Sequence, residues 1–425
     1  MTKIPTSLWS RGSKLFGMAS KVALNEIGTK LKTWESDKDR LTSKLEMAHT
    51  LVKTMSELKG ASMKLGQLIS MDLGEYFPPE VVKILESLHQ QSTFLPYSQI
   101  HEILKSELQE KLNDIKNISS EPIAAASIGQ VHSATLNGEE IVIKIQYPGV
   151  AESIPSDLKM LELLLKNLAF FQGKQMDLAP FFQEVKEVLE RETDYHHEAL
   201  MLERYEAAFR ETEFIIPRLY KEYSTSKIII MEKINGVKLT DWIEKSFLGE
   251  RQKLAHDFMT LYLKEFFQHG LVQTDPNPGN FLMASDNRMA LLDFGAVKEY
   301  DKSFIDGYRR VLKSALENNI EELITTSEAI GFIDAREPEE VKKLYISMME
   351  TLAAPFRSNL PFDFNDKNFY DRSRDQSWEL TKKCRYSPPP KDLLFLHRKL
   401  GGVFFLIKKL DVKLVLKDYW HLVDN

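Results

Sequence analysis

The sequence predicts an α+β chain: a helical N-terminal extension, a small lobe built on an antiparallel sheet, and a larger, mainly helical lobe. Three observations carry this. Apolar residues recur at helical spacing through residues 40–112, the period shortens to two around the hairpin signal Asn137-Gly138, and helical spacing returns from residue 241. The boundaries fall at 1–115 for the extension, 116–236 for the sheet lobe and 237–425 for the helical lobe.

At 425 residues, with 43% hydrophobic and 28% charged residues, the composition is that of a globular protein with a sizeable core. A net charge of −6 gives no electrostatic reason to expect nucleic acid, so an anionic ligand would be held by local cations and metal. The single cysteine, Cys384, excludes an intramolecular disulfide and a cysteine-based zinc site, and it points to a reducing compartment. No run reaches the roughly 18 apolar residues of a membrane span. The nearest, GGVFFLI at 401–407, is flanked by lysines and reads as core.

The first 24 residues carry Lys3, Arg11, Lys14 and Lys21 without an acid, while Leu8, Leu15, Met18, Ala19, Val22 and Ala23 fall mostly on one helical face. This suits a helix lying on an anionic membrane surface, and equally a basic helix packed on its own protein; a transit peptide is a third reading. Residues 40–72 read as a long helix ending in KGASMKLGQLISM. There Lys64 and Gln67 share a face, and Gly60, Ala61 and Gly66 permit close approach to another surface. Taken alone, Lys64 is an exposed lysine near a helix end. FPPE at 77–80 opens the next helix, and another runs over 95–112 after Pro96, with Ser98 as its cap.

EPIAAASIGQVHSATLNGEEIVIKIQYPGV, from Glu121, reads as strand, turn and strand. Lys144 stands inside the second strand between apolar neighbours, where a lysine is ordinarily paired. Helical spacing from about 156 to 200 follows, carrying Glu192, Asp194 and Glu198, which one by one read as a solvated face. His196 and His197 lack a third ligand at metal spacing. Residues 214–232 give two more strands, the second being KIIIM, and Gly236 reads as a linker. From 241 the chain is helical to His269, and after LLDFGA (291–296) it turns almost at once into the helix DKSFIDGYRRVLKSALENN. Pro388–Pro390 break the helices before DLLFLHRKLGGVFFLIKKL.

The chemistry lies in QTDPNPGNF at 273–281 and Asp293-Phe294-Gly295. An acid, an asparagine five positions on, and an Asp-Phe-Gly after a short apolar strand is the spacing by which kinase-like folds hold divalent cations against nucleotide phosphates. The fold class therefore narrows to a protein-kinase-like, two-lobed fold. Asp275 would position the acceptor as base or acid, Asn280 would supply a neutral oxygen ligand, and Asp293 would bridge metal to phosphate. In such a fold Lys144 grips the α/β-phosphates and Glu198 is its helix-borne partner. The preceding loop covers the phosphates, yet Ala124 and Ala126 stand where glycines are usual, and only Gly129, followed by Val131, is kept. The Cβ of alanine restricts approach to a ligand. The backbone of Met231, Glu232 and Ile234 would meet the adenine edge, unless this is simply a strand end. An activation segment closing on Ala-Pro-Glu is missing, since Pro338-Glu339 comes too late, which argues against peptide substrates.

Lys64-Leu65-Gly66-Gln67, Ala124-Ala125-Ala126-Ser127, Lys144, Glu192-Thr193-Asp194, Asp275 to Asn280, and Asp293-Phe294-Gly295 occur in the order of the UbiB family of atypical kinases, which the chain resembles over roughly residues 40–410, LHRKLGG included. The form QTDPNPGN, with Gln273 in place of the usual histidine, is similar to the eukaryotic-type members linked to coenzyme Q biosynthesis. The resemblance implies an atypical kinase/ATPase that binds ATP or ADP with Mg2+ or Mn2+ and supports ubiquinone or other isoprenoid-lipid metabolism. It implies a small-molecule or lipid-linked acceptor, and quinone-biosynthesis enzymes as partners. It also implies that the Lys64 and Gln67 helix lies over the active site, with Lys64 against Glu192 and Asp194. The expected location is cytoplasmic, or peripheral on the inner membrane, facing the mitochondrial matrix in a eukaryote. The alternatives are a nucleotide-gated scaffold without phosphoryl transfer, a small-molecule phosphotransferase of the aminoglycoside-kinase type, and an ordinary protein kinase.

Overall fold

The computed structural model describes residues 94–424 apart from 127, 157, 160, 161, 163–178, 211, 388 and 389. The expected helices before residue 94, with Lys64 and Gln67, and Ser127 of the alanine stretch lie outside the described residues. The chain divides into two compact units: Met1–Leu200 with Arg218–Lys233, and Met201–Pro217 with Ile234–Asn425.

The first unit holds a five-stranded antiparallel sheet. Its strands are β1 (Ile115–Lys116), β2 (Ala124–Ala126), β3 (Gly129–Leu136), β4 (Glu139–Gln146) and β5 (Ile228–Glu232), in the order β1-β3-β4-β5 with β2 also on β3. Asn137 and Gly138 close the β3–β4 hairpin at φ 53° and 87°, the paired left-handed conformation that an Asn-Gly turn accepts readily. Ile141, Ile143 and Ile145 of β4 are fully buried and pack with Ile228, Ile230, Leu136 and the helix Tyr97–Leu108, which contributes Ile100, Leu104 and Leu108. That helix has no side-chain cap. Ser98 sits inside its first turn, and the carbonyl of Pro96 accepts from the amides of Gln99 and Ile100.

Two further expectations change here. The stretch from 156 to 200 is broken at Thr193-Asp194, leaving the helices Ala179–Glu192 and Tyr195–Ala208. Asp194 Oδ1 accepts the amide of His197 at 3.0 Å, so this acid caps the second helix. The first of the two strands expected in 214–232 reduces to single bridges, Ile215 with Ala290 and Leu219 with Met231. Pro217, between them, has no N–H to offer a ladder.

The second unit adds β6 (Gly236–Lys238), β7 (Leu271–Gln273), β8 (Phe281–Ala284), β9 (Met289–Leu291) and β10 (Val297–Glu299), paired as β6-β8-β9 and β7-β10. Gly236 is therefore not a linker. It opens a strand so close to β8 that a Cβ would lie 2.7 Å from Met283 O. Residues 201–217 belong with this unit, not with the sheet lobe, because Phe209 meets Phe214 edge-on and packs against the tilted ring of His269, and because Leu291 N donates to Ile215 O at 3.0 Å. Helix Leu248–Leu263 runs into the π-helical turn Lys264–His269, which Gly270 ends at φ 61°. The remaining long helices are Lys302–Glu317, Ile320–Ala329, Glu339–Arg357, Lys367–Lys383 and Lys391–Leu410. Val403, Leu406 and Ile407 of GGVFFLI are buried in the core, whereas Phe405 is exposed. No helix among the described residues is long and apolar enough to cross a membrane.

Candidate active site

The two groups of candidate residues lie in different units, and each is built locally. In the first unit β4 carries Lys144 between β3 and β5, opposite Val131 and Ile229. Its ammonium is 2.6 Å from Glu198 Oε1, and both side chains are almost wholly removed from solvent. Glu198 stands in the first turn of the Tyr195–Ala208 helix, whose entry is fixed by Asp194. The ring of buried Tyr195 lies 5.5 Å from Lys144 Nζ, close enough for a cation–π attraction. Gln146 Nε2 donates to Thr193 O at 2.9 Å, tying the strand to the turn between the helices. Glu192 is buried, whereas Asp194 is exposed.

The alanine stretch is strand as well as loop. Ala124, Ala125 and Ala126 pair with Val131, Gln130 and Gly129, and the first two alanines are exposed. Gly129 has a packing reason of its own: a Cβ there would overlap the carbonyl of Ile145 and approach the Tyr195 hydroxyl. At the end of β5, Met231 is buried and Glu232 exposed. The Glu232 amide donates to Arg218 O at 2.9 Å, so an adenine contact from this residue would fall to its carbonyl. The chain passes into the second unit between Lys233 and Ile234.

In the second unit β7 ends at Gln273 and releases a loop with its own hydrogen bonds. Thr274 donates through amide and hydroxyl to Ala296 O, at 3.0 and 2.7 Å. Asn277 Oδ1 accepts from Gly279 N, and Asn280 N donates to Asn277 O. Asn280 Nδ2 donates to Asp275 O at 3.1 Å, which orients the amide with Oδ1 as its outward acceptor. Its carbonyl accepts from Leu292 N at 3.0 Å, so the ends of β8 and β9 hold Asn280 beside the residue preceding Asp293. Asp293 Oδ1 accepts from Gly295 N, and Phe294, buried, meets the Tyr205 ring edge-on at 5.1 Å. The Asp293 carboxylate and the Asn280 amide oxygen are hard oxygen donors. They suit Mg2+ or Mn2+, which would complete their shells with water and phosphate oxygens. No cluster of three His, Cys, Asp or Glu that could hold a metal occurs among the described residues.

The chain matches a known family over more than half of its length. The ABC1 atypical kinase-like domain describes residues 87–327. The chain belongs to the ABC1 family of atypical kinases. It is 33% identical over 98% of its length to the mitochondrial atypical kinase COQ8 of Schizosaccharomyces pombe, covering 69% of that protein. It is 32% identical over 96% of its length to mitochondrial COQ8 of Saccharomyces cerevisiae, covering 83%. Among solved structures, the Mycobacterium tuberculosis protein Rv3197 in complex with erythromycin superposes with a TM-score of 0.61 at 28% identity, over 90% of this chain and 97% of that one. The kinase-like α+β fold expected from the sequence is thus the fold of the chain, and a kinase-like ABC1 site is one that takes a nucleotide.

Sequence reasoning passed over Tyr195, the Gln146–Thr193 bond, and a buried group in the second unit formed by Glu265, Lys399 and Tyr205. A signal for Lys399 was present. Leu396, Lys399, Val403 and Leu406 follow helical spacing, so a lysine stands in an otherwise apolar stripe.

Proposed function

We propose that this ABC1 protein is an atypical kinase/ATPase that binds Mg-ATP and acts in ubiquinone biosynthesis on a small-molecule or lipid-linked acceptor. The observation that supports the reading is the pair of hydrogen bonds at Asn280, whose side chain donates to the backbone carbonyl of Asp275 and whose own carbonyl accepts from the amide of Leu292, the residue before Asp293. Asn280 and Asp293 would hold a divalent cation, which when bound neutralises phosphate charge as the γ-phosphoryl leaves. Asp275 would orient the attacking hydroxyl or water and accept its proton. Lys144, held by Glu198, would bind the α/β-phosphates, and the backbone of Glu232 and Ile234 would take the adenine edge.

The pathway assignment is supported by the relatives named COQ8 and described as mitochondrial. Against peptide substrates stands the short passage from Asp293-Phe294-Gly295 through β10 into the Lys302–Glu317 helix, which leaves no room for a peptide platform. The test is Asp293→Asn in the purified chain with Mg-ATP. ATP turnover should fall at least about a hundredfold while the fold persists. A variant as fast as wild type would sink the assigned metal site, and a wild type that binds nucleotide without turnover would replace the enzyme by a nucleotide-gated scaffold.

A further inference from the structure

The Lys391–Leu410 helix carries LHRKLGG and takes no part in the chemistry just proposed, yet it touches the strand before one reactive loop and the strand after the other. Gly402 lies against Pro276, the residue after Asp275, and a Cβ on Gly402 would overlap Pro276 Cβ and Cγ. The neighbouring Gly401 is exposed, with open space around it. Lys399, with its side chain fully buried, is 3.1 Å from Glu265 Oε2 and donates to Gln273 Oε1 at 3.4 Å. Glu265 Oε1 accepts from the Tyr205 hydroxyl at 3.0 Å. At the start of the same helix Asp392 pairs with Lys298 of β10, and its carbonyl accepts from Tyr300. Gln273 ends β7 and Lys298 lies in β10, so one rigid helix grips the strand before the Asp275 loop and the strand after Asp293.

We infer that the Lys391–Leu410 helix is the seat of the Asp275 loop, with Gly402 and Lys399 as positioning residues. A glycine inside a helix weakens it, so two in succession call for a reason, and close approach of the Pro276 ring supplies one for Gly402 alone. A buried lysine needs its carboxylate, and this pair stands next to the residue that launches the loop. The catalytic side of the inference rests on the function proposed above; the structural side does not.

The experiment compares Gly401→Ala and Gly402→Ala in the full chain, reading amide hydrogen exchange and Mg-ATP turnover. Both substitutions favour the helix, and only the second meets Pro276. In G402A the amides of Thr274, Asn280 and Leu292 should exchange at least about tenfold faster while those of Lys302–Glu317 keep their rates, and G401A should match wild type throughout. Turnover in G402A should fall at least about tenfold with KM for ATP within about threefold, as expected of a misplaced group and not of a lost binding site. Added to Pro276→Gly, which removes the ring, G402A should cost less than about twofold. Unchanged exchange at the three amides, equal acceleration across the unit, or equal losses in both backgrounds overturns the inference. So does loosening of the loop with wild-type turnover. Should G402A fail to fold, the P276G/G402A chain decides: folding and wild-type exchange outside the loop uphold the contact, and failure in both rejects it. A wild type that does not turn over ATP would overturn the proposed function, and the exchange data would still judge the seat.

Discussion

At the scale of single residues the first unit holds a buried ion pair between Lys144 and Glu198. Lys144 and Glu198 are each nearly inaccessible, so deleting one removes a 2.6 Å ion pair from a charge that stays in the core. Lys144→Met should lower unfolding free energy by about 3–5 kcal/mol, whereas Lys144→Met with Glu198→Leu should lose clearly less. Equal losses in urea titrations would mean that the pair is not coupled. His397 supplies a pH dependence. Its Nε2 lies 3.2 Å from the Tyr308 hydroxyl, and although part of the residue stays open to solvent, desolvation by its packed neighbours pushes its imidazole down to about 4 from an ordinary 6.5. The unfolded chain gains a proton below about 6.5 that the folded chain holds less readily, so stability declines as pH falls from 6.5 toward 4. His397→Phe should flatten that decline. Parallel slopes for variant and wild type would assign the loss to other groups.

At the scale of elements, close backbone approach decides more than propensity does. Gly236 was expected to be a linker, but β6 presses it against Met283 O. Gly236→Ala should destabilise by about 1–3 kcal/mol through overpacking, while Gly249→Ala, with open space near the start of the Leu248–Leu263 helix, should be neutral or stabilising. Thermal melts in which the two variants behave alike would contradict this. The β3–β4 hairpin was legible because Asn137-Gly138 and the alternation of IVIKI are local signals. The reduction of residues 214–219 to isolated bridges was less legible, since their partners, Ala290 and Met231, are distant in sequence. Ser98 shows the same limit: its residue type suits a cap, but Pro96 already sets where the helix begins.

At the scale of the whole molecule, nucleotide binding should appear as stability. If Mg-ATP binds the folded chain alone, a hundredfold excess over Kd adds about 2.7 kcal/mol, and the gain should vanish without Mg2+ and in Asp293→Asn. A melting temperature indifferent to Mg-ATP would remove the nucleotide from the account. The order of Lys144, Glu198, Asp275, Asn280 and Asp293 along the chain was enough to name the fold and to nominate the reacting groups, because a phosphate site needs those residue types at nearly constant spacing. What holds them was decided only in three dimensions. Tyr195 beneath Lys144, Leu292 N–H on Asn280, Lys399 beside Glu265 and Gly402 under Pro276 are contacts between residues far apart in sequence or separated by a turn. Local periodicity records which face of an element is apolar; it does not record which distant backbone that face will meet, and the positioning of this site depends on that meeting.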